Sequence, residues 1–471
     1  MTIEALYELY RQHPVVTTDS RKCPEGSIFF ALKGEKFDGN DFAAQTLAAG
    51  CAYAVVDRPD VAATDPRMIL VDDTLRALQQ LAAWHRRTLG IPVIGITGTN
   101  GKTTTKELTA AVLSKRYKVY YTQGNLNNQI GVPLTLLSLQ SDCELAIVEM
   151  GASHPGDIRE LVDIAQPDYG LITNVGKAHL EGFGSFEGVM RTKAELYDYL
   201  CEHGGRAFIN AGNRWLRQMV ADHLGPQGVA HCIAYAGETT AVDGDVACGA
   251  GEPGGSEWGG FKPTVTGRVL QSEPRLRLAW SQVGDEEGQK GLPAVHEVPT
   301  QLIGAYNLEN ALAAVCVGLY FGVPADDIDA AIAGYQPSNN RSQWQQTARN
   351  TLIIDAYNAN PTSMNAALDN FLPSERMHKV VILGAMRELG AYSEEEHEHL
   401  LRRLAAADID RAWLIGPEFA RAAEKVACPK ALLFADTERC LAHLQAQPLT
   451  GCTVLLKGSR SNRLETLLPS L

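Results

Sequence analysis

The run Gly95-Ile-Thr-Gly-Thr-Asn-Gly-Lys-Thr-Thr-Thr105 constrains this chain more than any other stretch. It follows the apolar Ile91-Pro-Val-Ile94 and leads into a pattern with Leu108, Ala111 and Val112 on one helical face. Strand, glycine loop, Lys-Thr and helix is the layout of a phosphate-binding loop. Glycines let the backbone turn and aim N–H groups inward, and a helix N-terminus adds partial positive charge. Gly98, Thr99, Asn100, Gly101, Lys102, Thr103 and Thr104 are therefore the expected cradle of a nucleoside triphosphate. Lys102 would reach the terminal phosphates and the Thr103 hydroxyl would hold Mg²⁺. A standard loop of this kind has glycine where this chain has Ile96. The competing reading is a chance Gly-Lys-Thr turn, and the agreement of strand, glycine spacing and helix weighs against it.

At 471 residues the chain is too long for one ordinary core, and about three domains are expected. A net charge of −13 argues against nucleic acid as the main partner, because gripping a phosphate backbone needs a basic face. The ten cysteines include no Cys-x-x-Cys pair, so metal-ligand spacing is absent and free thiols in a reducing cytoplasm are expected. Met1 to Tyr10 is acidic and amphipathic, unlike a signal peptide. The longest apolar run, Ala311 to Val323, is too short for a bilayer, so no membrane segment is expected.

Residues 1–87 mix short strands (Ser27 to Leu32, Ala52 to Val56) with helices at Asp41 to Ala49 and Thr74 to Arg87. From 88 to 336, strands at Leu145 to Met150 and Tyr169 to Val175 alternate with helices at Asp157 to Ile164 and Phe186 to Leu200. That alternation predicts an α/β fold with a mostly parallel sheet covered on both faces. Residues 236–300 turn glycine-rich and polar, as in Gly249 to Gly255, with alternating pieces such as Arg275 to Ala279. They read as a peripheral β-hairpin layer with a mobile loop. Helical pattern resumes at Asn307. Residues 337–471 carry five strands with helical crossovers, a small Rossmann-like domain without the glycine signature of a dinucleotide site. Ser393-Glu-Glu-Glu396 predicts a capping box there.

Ligands of open α/β sheets gather at the carboxyl ends of strands. Glu149 ends one strand and His179 follows another, so both can face the phosphate loop as Mg²⁺ ligands. A helix cap for Glu149 and an ordinary loop hydrogen bond for His179 fit the sequence as well. Lys193, on a helix, reads by position as a solvated charge. A buried amine of lowered pKa, by contrast, can take up CO₂ as a carbamate and become an anionic ligand. Arg341, in Asn339-Asn-Arg-Ser-Gln343, stands at a domain junction and can neutralise a γ-phosphate or form a surface ion pair. Asp355 ends a strand in Asp355-Ala-Tyr-Asn-Ala-Asn-Pro361. Lys457-Gly-Ser-Arg460 is either a plain loop or a basic turn suited to a carboxylate or phosphate.

Gly98-Thr-Asn-Gly-Lys-Thr-Thr104, Glu149-Met-Gly151, His179-Leu-Glu-Gly-Phe-Gly184, Asn307-Leu-Glu-Asn-Ala311 and Lys457-Gly-Ser-Arg460 together resemble the Mur ligases, in the family's order and over nearly the whole chain. These are ATP-dependent amide-forming enzymes of bacterial peptidoglycan synthesis. The resemblance implies three domains: a UDP-sugar domain, a central ATPase and a Rossmann-like domain for the incoming amine. Asp19-Ser-Arg21, Asp38-Gly39, Gly124 to Pro133, Asp355 to Met364 and Arg387-Glu-Leu-Gly390 look most like the branch that adds D-alanyl-D-alanine to UDP-N-acetylmuramoyl-tripeptide. The Asp-Asn-Pro-Arg motif of the diaminopimelate-adding branch is missing.

Carried over by position, the resemblance implies Lys102 and Thr103 at the phosphates and magnesium, Glu149 and His179 as further metal ligands, and Lys193 as the carbamylated lysine. Two Mg²⁺ ions are implied. Asn307 and Asn310 would meet adenine, Arg341 the γ-phosphate and Asp355 the ribose. Ser20, Arg21, Asp38 and Gly39 would serve the nucleotide-sugar; Asn125, Asn127 and Asn128 the growing peptide; Asn358, Lys457 and Arg460 the amine substrate. Tyr306, Asn40 and Ala385 depart from residues common in the family, respectively His, His and Asp. The expected catalytic set is Lys102, Lys193, His179 and Arg341, in a cytoplasmic monomer. Two other functions compete: a sister ligase adding a diamino acid to the UDP-muramoyl-dipeptide, and a nucleotide-gated binding protein without ligation.

Overall fold

A computed structural model describes residues 1–225, 228–238, 260–283, 294–337, 341–374 and 376–471. Three main sheets organise the chain. The first is four-stranded and wholly parallel, in the order Val16–Thr17, Ile28–Phe30, Tyr53–Val56, Met68–Leu70. Its strands are short and apolar, and Phe29, Phe30 and Val55 are buried. Helix Thr74–Leu89 leads to the next unit. Asp73 caps it by accepting the Arg76 N–H, Gly90 ends it at φ +62°, and Leu78, Leu81 and Ala82 make its buried face.

The central sheet has nine strands. Val93–Thr97 lies in its interior, between Leu145–Glu149 and Tyr169–Ile172 and parallel to both. Fully buried strands read as continuous apolar runs, which is why Val93 to Ile96 carries no polar alternation. Beyond Tyr169–Ile172 come Arg206–Asn210 and Cys232–Glu238, and beyond Leu145–Glu149 comes Val119–Tyr121. The expected peripheral β-hairpin layer forms the outer edge of this sheet. Pro263–Gln271 pairs in parallel with the edge strand Cys232–Glu238, and Arg277–Gln282 and Val295–Pro299 follow antiparallel. An open strand edge offers unpaired N–H and C=O groups, so these strands widen the same sheet. The loop expected around Gly249 to Gly255 lies outside the described residues.

The third sheet runs Gln343–Gln346, Thr351–Asp355, Thr453–Lys457, Lys379–Gly384, Arg411–Ile415, Ala431–Phe434. All but the first are parallel. The capping box expected at Ser393 does not form. Helix Ser393–Ala406 continues from the tight turn Gly390–Tyr392, so Ser393 is already helical and its N–H meets the Gly390 carbonyl. A capping box does form at helix Pro361–Phe371, where Asn360 accepts the Ser363 N–H and Ser363 answers the Asn360 N–H. Among the described residues, no helix is long and apolar enough to cross a membrane, and the described cysteines are free.

Candidate active site

The phosphate loop leaves strand Val93–Thr97 at its carboxyl end and enters helix Lys102–Leu113. This is the interior position where successive strands are laid to either side, the place at which open α/β sheets open a crevice. Gly98 has φ +142°, and a Cβ there would lie 2.0 Å from the Thr173 hydroxyl. Lys102 folds back over the loop, its Nζ donating to the carbonyls of Gly98 at 2.7 Å and Thr99 at 3.1 Å. Burial pushes its amine down to about 8, partly offset by the Glu149 charge.

Thr103 donates its hydroxyl to Glu149 Oε2 at 2.9 Å. Asn127 donates to Glu149 Oε1 at 2.9 Å, so its side chain faces inward and steadies the carboxylate. Sequence reasoning missed Lys106. It is 1% exposed, donates to the Thr122 carbonyl at 2.7 Å and stands 3.6 Å from Glu149 Oε2. A hydroxyl beside an anchored carboxylate is a fitting oxygen set for a hard divalent cation.

His179 starts the short helix Leu180–Phe183 from a left-handed backbone, φ +49°. Its Nδ1 lies against the carboxylate of Glu388 from the third sheet's unit. Burial lowers its pKa, and Lys102 and Lys193 push the same way against Glu388. Lys193 is 2% exposed, with Nζ 5.6 Å from the Phe183 ring centroid. Among the described residues no carboxylate lies within ion-pair distance of it. Burial, with the Lys102 charge behind it, drives its pKa well below the ordinary lysine value. The solvated-charge reading of Lys193 is thereby corrected. A neutral amine without an anionic partner fits carbamate formation, and carbamate plus imidazole fits a second metal.

Arg341 lies flat on Tyr357, its Cζ 3.7 Å from the ring centroid, and Arg460 approaches the same ring at 5.3 Å. The Arg341 Nε is buried and has no acceptor among the described residues. Thr103, Gly124, Asn125, Arg341, Tyr357 and Arg460 line one cleft of about 240 Å³, so the phosphate loop and the third unit share it. Asn339 and Asn340 lie outside the described residues.

Other expected residues serve the protein itself. Lys457 is 1% exposed and bonded to Asp355 Oδ2 and the Asn358 carbonyl, so it fixes Asp355 instead of reaching outward. Asn358 accepts its neighbour's N–H from Ala359. Asn307 and Asn310 are buried: Asn307 donates to the Ile303 carbonyl, Asn310 donates to Asn307, and Thr105 donates to Asn310. They lock helix Asn307–Tyr320 to the helix behind the phosphate loop. Tyr306 shares a hydrogen bond with Ser342 at 3.1 Å. Asn128 accepts the Gly131 N–H at 2.9 Å, in the turn that leads into helix Gly131–Leu137.

Far along the chain, Arg21 is exposed and paired with Asp19, next to Ser20. Asn40 is buried and donates to both Asp38 and Asp57, holding Asp38 at the turn before Gly39. Ala385 is fully buried, where an acid would be costly.

Three family profiles match in order: Mur ligase family, catalytic domain, over residues 14–86; Mur ligase middle domain over 96–246; and Mur ligase, glutamate ligase domain, over 340–460. The chain is 35% identical to UDP-N-acetylmuramoyl-tripeptide–D-alanyl-D-alanine ligase of Escherichia coli, covering 97% of this chain and 93% of that one. It is 33% identical to the enzyme of that name from Bacillus subtilis, with coverage of 97% and 92%. The fold is similar to a crystal structure of MurF from Acinetobacter baumannii, at TM-score 0.79 and 31% identity over 97% of this chain and 92% of that one. It is also similar to MurF ligase from Thermotoga maritima in complex with ADP, at TM-score 0.78 and 27% identity over 97% and 96%.

Proposed function

This chain belongs to the Mur ligase family, and from that premise we propose that it joins D-alanyl-D-alanine to UDP-N-acetylmuramoyl-tripeptide with ATP turnover to ADP and phosphate. The cleft lined together by Thr103 and by Arg341, Tyr357 and Arg460 carries the reading. A nucleotide on the central sheet would there present its last phosphate to the third unit.

A carboxylate is a poor acyl donor. The tripeptide's terminal carboxylate attacks the γ-phosphorus, the bond to ADP breaks, and an acyl phosphate results. The amine of D-alanyl-D-alanine then attacks the acyl carbon, loses a proton and expels phosphate. Lys102 and Arg341 offset charge on the transferred phosphoryl group from opposite sides. Arg341 is well prepared for this, since its Nε has no acceptor among the described residues to give up. Thr103, Glu149, His179 and a carbamylated Lys193 would hold the magnesium ions, whose contribution is charge neutralisation. Asp355, fixed by Lys457, would meet the nucleotide's ribose. Packing of the third unit over the loop keeps water from the acyl phosphate. A monomer in the cytoplasm completes the reading.

Phosphate release measured with ATP, UDP-N-acetylmuramoyl-tripeptide and D-alanyl-D-alanine tests it. Release that needs all three, and is lost in Lys102→Ala, is expected. Release that prefers diaminopimelate or lysine as the amine would move the chain to the sister activity. ATPase activity indifferent to both co-substrates would refute ligation.

A further inference from the structure

Asn100, in the middle of the phosphate loop, is held from two directions. Its N–H donates to Asn174 Oδ1 at 3.0 Å, and its carbonyl accepts from the Thr173 hydroxyl at 2.6 Å and Asn174 Nδ2 at 3.1 Å. These contacts lie within the central unit. Its side-chain Oδ1 instead accepts Nδ2 of Asn360, from the third unit, at 2.9 Å. Asn360 is 5% exposed, and its own Oδ1 is committed to the Ser363 N–H as the cap of helix Pro361–Phe371. One side chain thus starts a third-unit helix and grips the loop.

Thr362, two residues on, continues the contact. The Thr362 hydroxyl accepts the Lys177 N–H at 3.0 Å, and a Cβ on Gly176 would lie 2.6 Å from it. The Thr99 hydroxyl accepts the Gly176 N–H at 3.0 Å, tying the two strand-end loops to each other. The first turn of helix Pro361–Phe371 is therefore keyed into both loops. Asn100 directly follows Thr99, whose carbonyl helps hold Lys102 Nζ. Displacing Asn100 displaces an anchor of that lysine.

We propose that Asn360 is a positioning residue that, through Asn100, makes the nucleotide-binding form of the phosphate loop depend on docking of the third unit. The inference rests on the ligase reading only for its turnover readout. The loop's grip on nucleotide is measured separately, with ADP as the probe.

Asn360→Ser keeps a good helix cap and is too short to reach Asn100. Loss of one hydrogen bond at a positioned site is expected to weaken ADP binding by calorimetry, and to raise KM for ATP, about 5-fold. KM for D-alanyl-D-alanine should stay unchanged. A variant that merely folds less well lowers kcat and moves neither KM. Asn100→Ala removes the acceptor, and in that background Asn360→Ser should cost nothing further. Asn360→Thr, a second short cap-former, must repeat the result if Asn360→Ser melts early. Unchanged ADP affinity and ATP KM, or an equal penalty with and without Asn100→Ala, would overturn the proposal. Native protein that binds ADP in an Asn360-dependent way yet forms no amide would sink the ligase reading and leave this one standing.

Discussion

Lys193 sits on the helix Phe186–His203 with its amine at the Phe183 ring and, among the described residues, no carboxylate within ion-pair distance. A protonated amine in that setting lacks both water and a counter-ion. Its lowered pKa is the response, and it makes the uncharged, nucleophilic amine easier to reach than for an ordinary lysine. Addition of that nitrogen to CO₂, with release of a proton, gives an anion suited to the surrounding charge of Lys102. Lys193→Ala is accordingly expected to lose ligation by about 100-fold or more, as expected when a group acting in the transition state is removed. Millimolar short-chain carboxylates should return part of the activity in the phosphate-release assay, and a variant as active as native protein would dismiss the carbamate. Lys102 carries a second prediction. Bound phosphate favours its charged form, so the complex holds a proton that free protein releases above about 8. ADP affinity by calorimetry should thus be level below that pH and fall as pH rises through it. The environments of Lys193 and Lys106 were not readable from their own neighbours in sequence. Lys193 occupies an ordinary helix position, and the fold of residues 179–183 over it makes it buried. Lys106 gave no signal, because its partners lie far from it in sequence: Thr122 just after strand Val119–Tyr121 and Glu149 at the end of another strand.

Strand Val93–Thr97, its loop and helix Lys102–Leu113 form the element that sequence described best. Each of its signals is local: an apolar strand, glycines where φ must be positive, a lysine and a hydroxyl at the helix start. Local signals fail where backbone context decides. Ser393 has a capping sequence, yet the chain reaches it already helical. Gln343–Gln346 pairs as an edge strand although Gln-Trp-Gln-Gln shows no apolar alternation, since its partner's backbone supplies the reason to extend. The loop's geometry yields a test at this scale. A methyl group on Gly98 collides with Thr173 and occupies a backbone conformation that side chains avoid. Gly98→Ala should cost roughly 1–3 kcal/mol in urea unfolding and weaken ADP binding by at least about 10-fold, since the loop's N–H groups no longer converge. Native-like affinity would show that the loop tolerates the shift.

Across the whole molecule, the third unit meets the central one through charges as well as through Asn360. Lys177 Nζ lies 2.8 Å from Glu396, a carboxylate largely removed from solvent, and His179 lies against Glu388. The Glu181 N–H donates to the Glu388 carbonyl at 3.2 Å, so backbone and side chains of residues 177–181 engage the same surface. The separation of these residues in sequence, more than 200 positions, is why no local pattern announces the interface. An ion pair with one exposed partner adds only about 1 kcal/mol or less. Reversing one charge, however, sets two carboxylates against each other at the same short range. Lys177→Glu is therefore expected to loosen docking. Small-angle scattering should report a larger radius of gyration, and ligation should fall about 5-fold, the equivalent of about 1 kcal/mol. The two-site exchange Lys177→Glu with Glu396→Lys recreates the pair in reverse and should recover most of both quantities. High salt should shrink the gap between native and Lys177→Glu, because screening weakens attraction and repulsion alike. If the exchange leaves the single variant's defect uncorrected, the pair does not hold the units together, and docking must rest on other contacts, such as those of Asn360, Thr362 and Glu388.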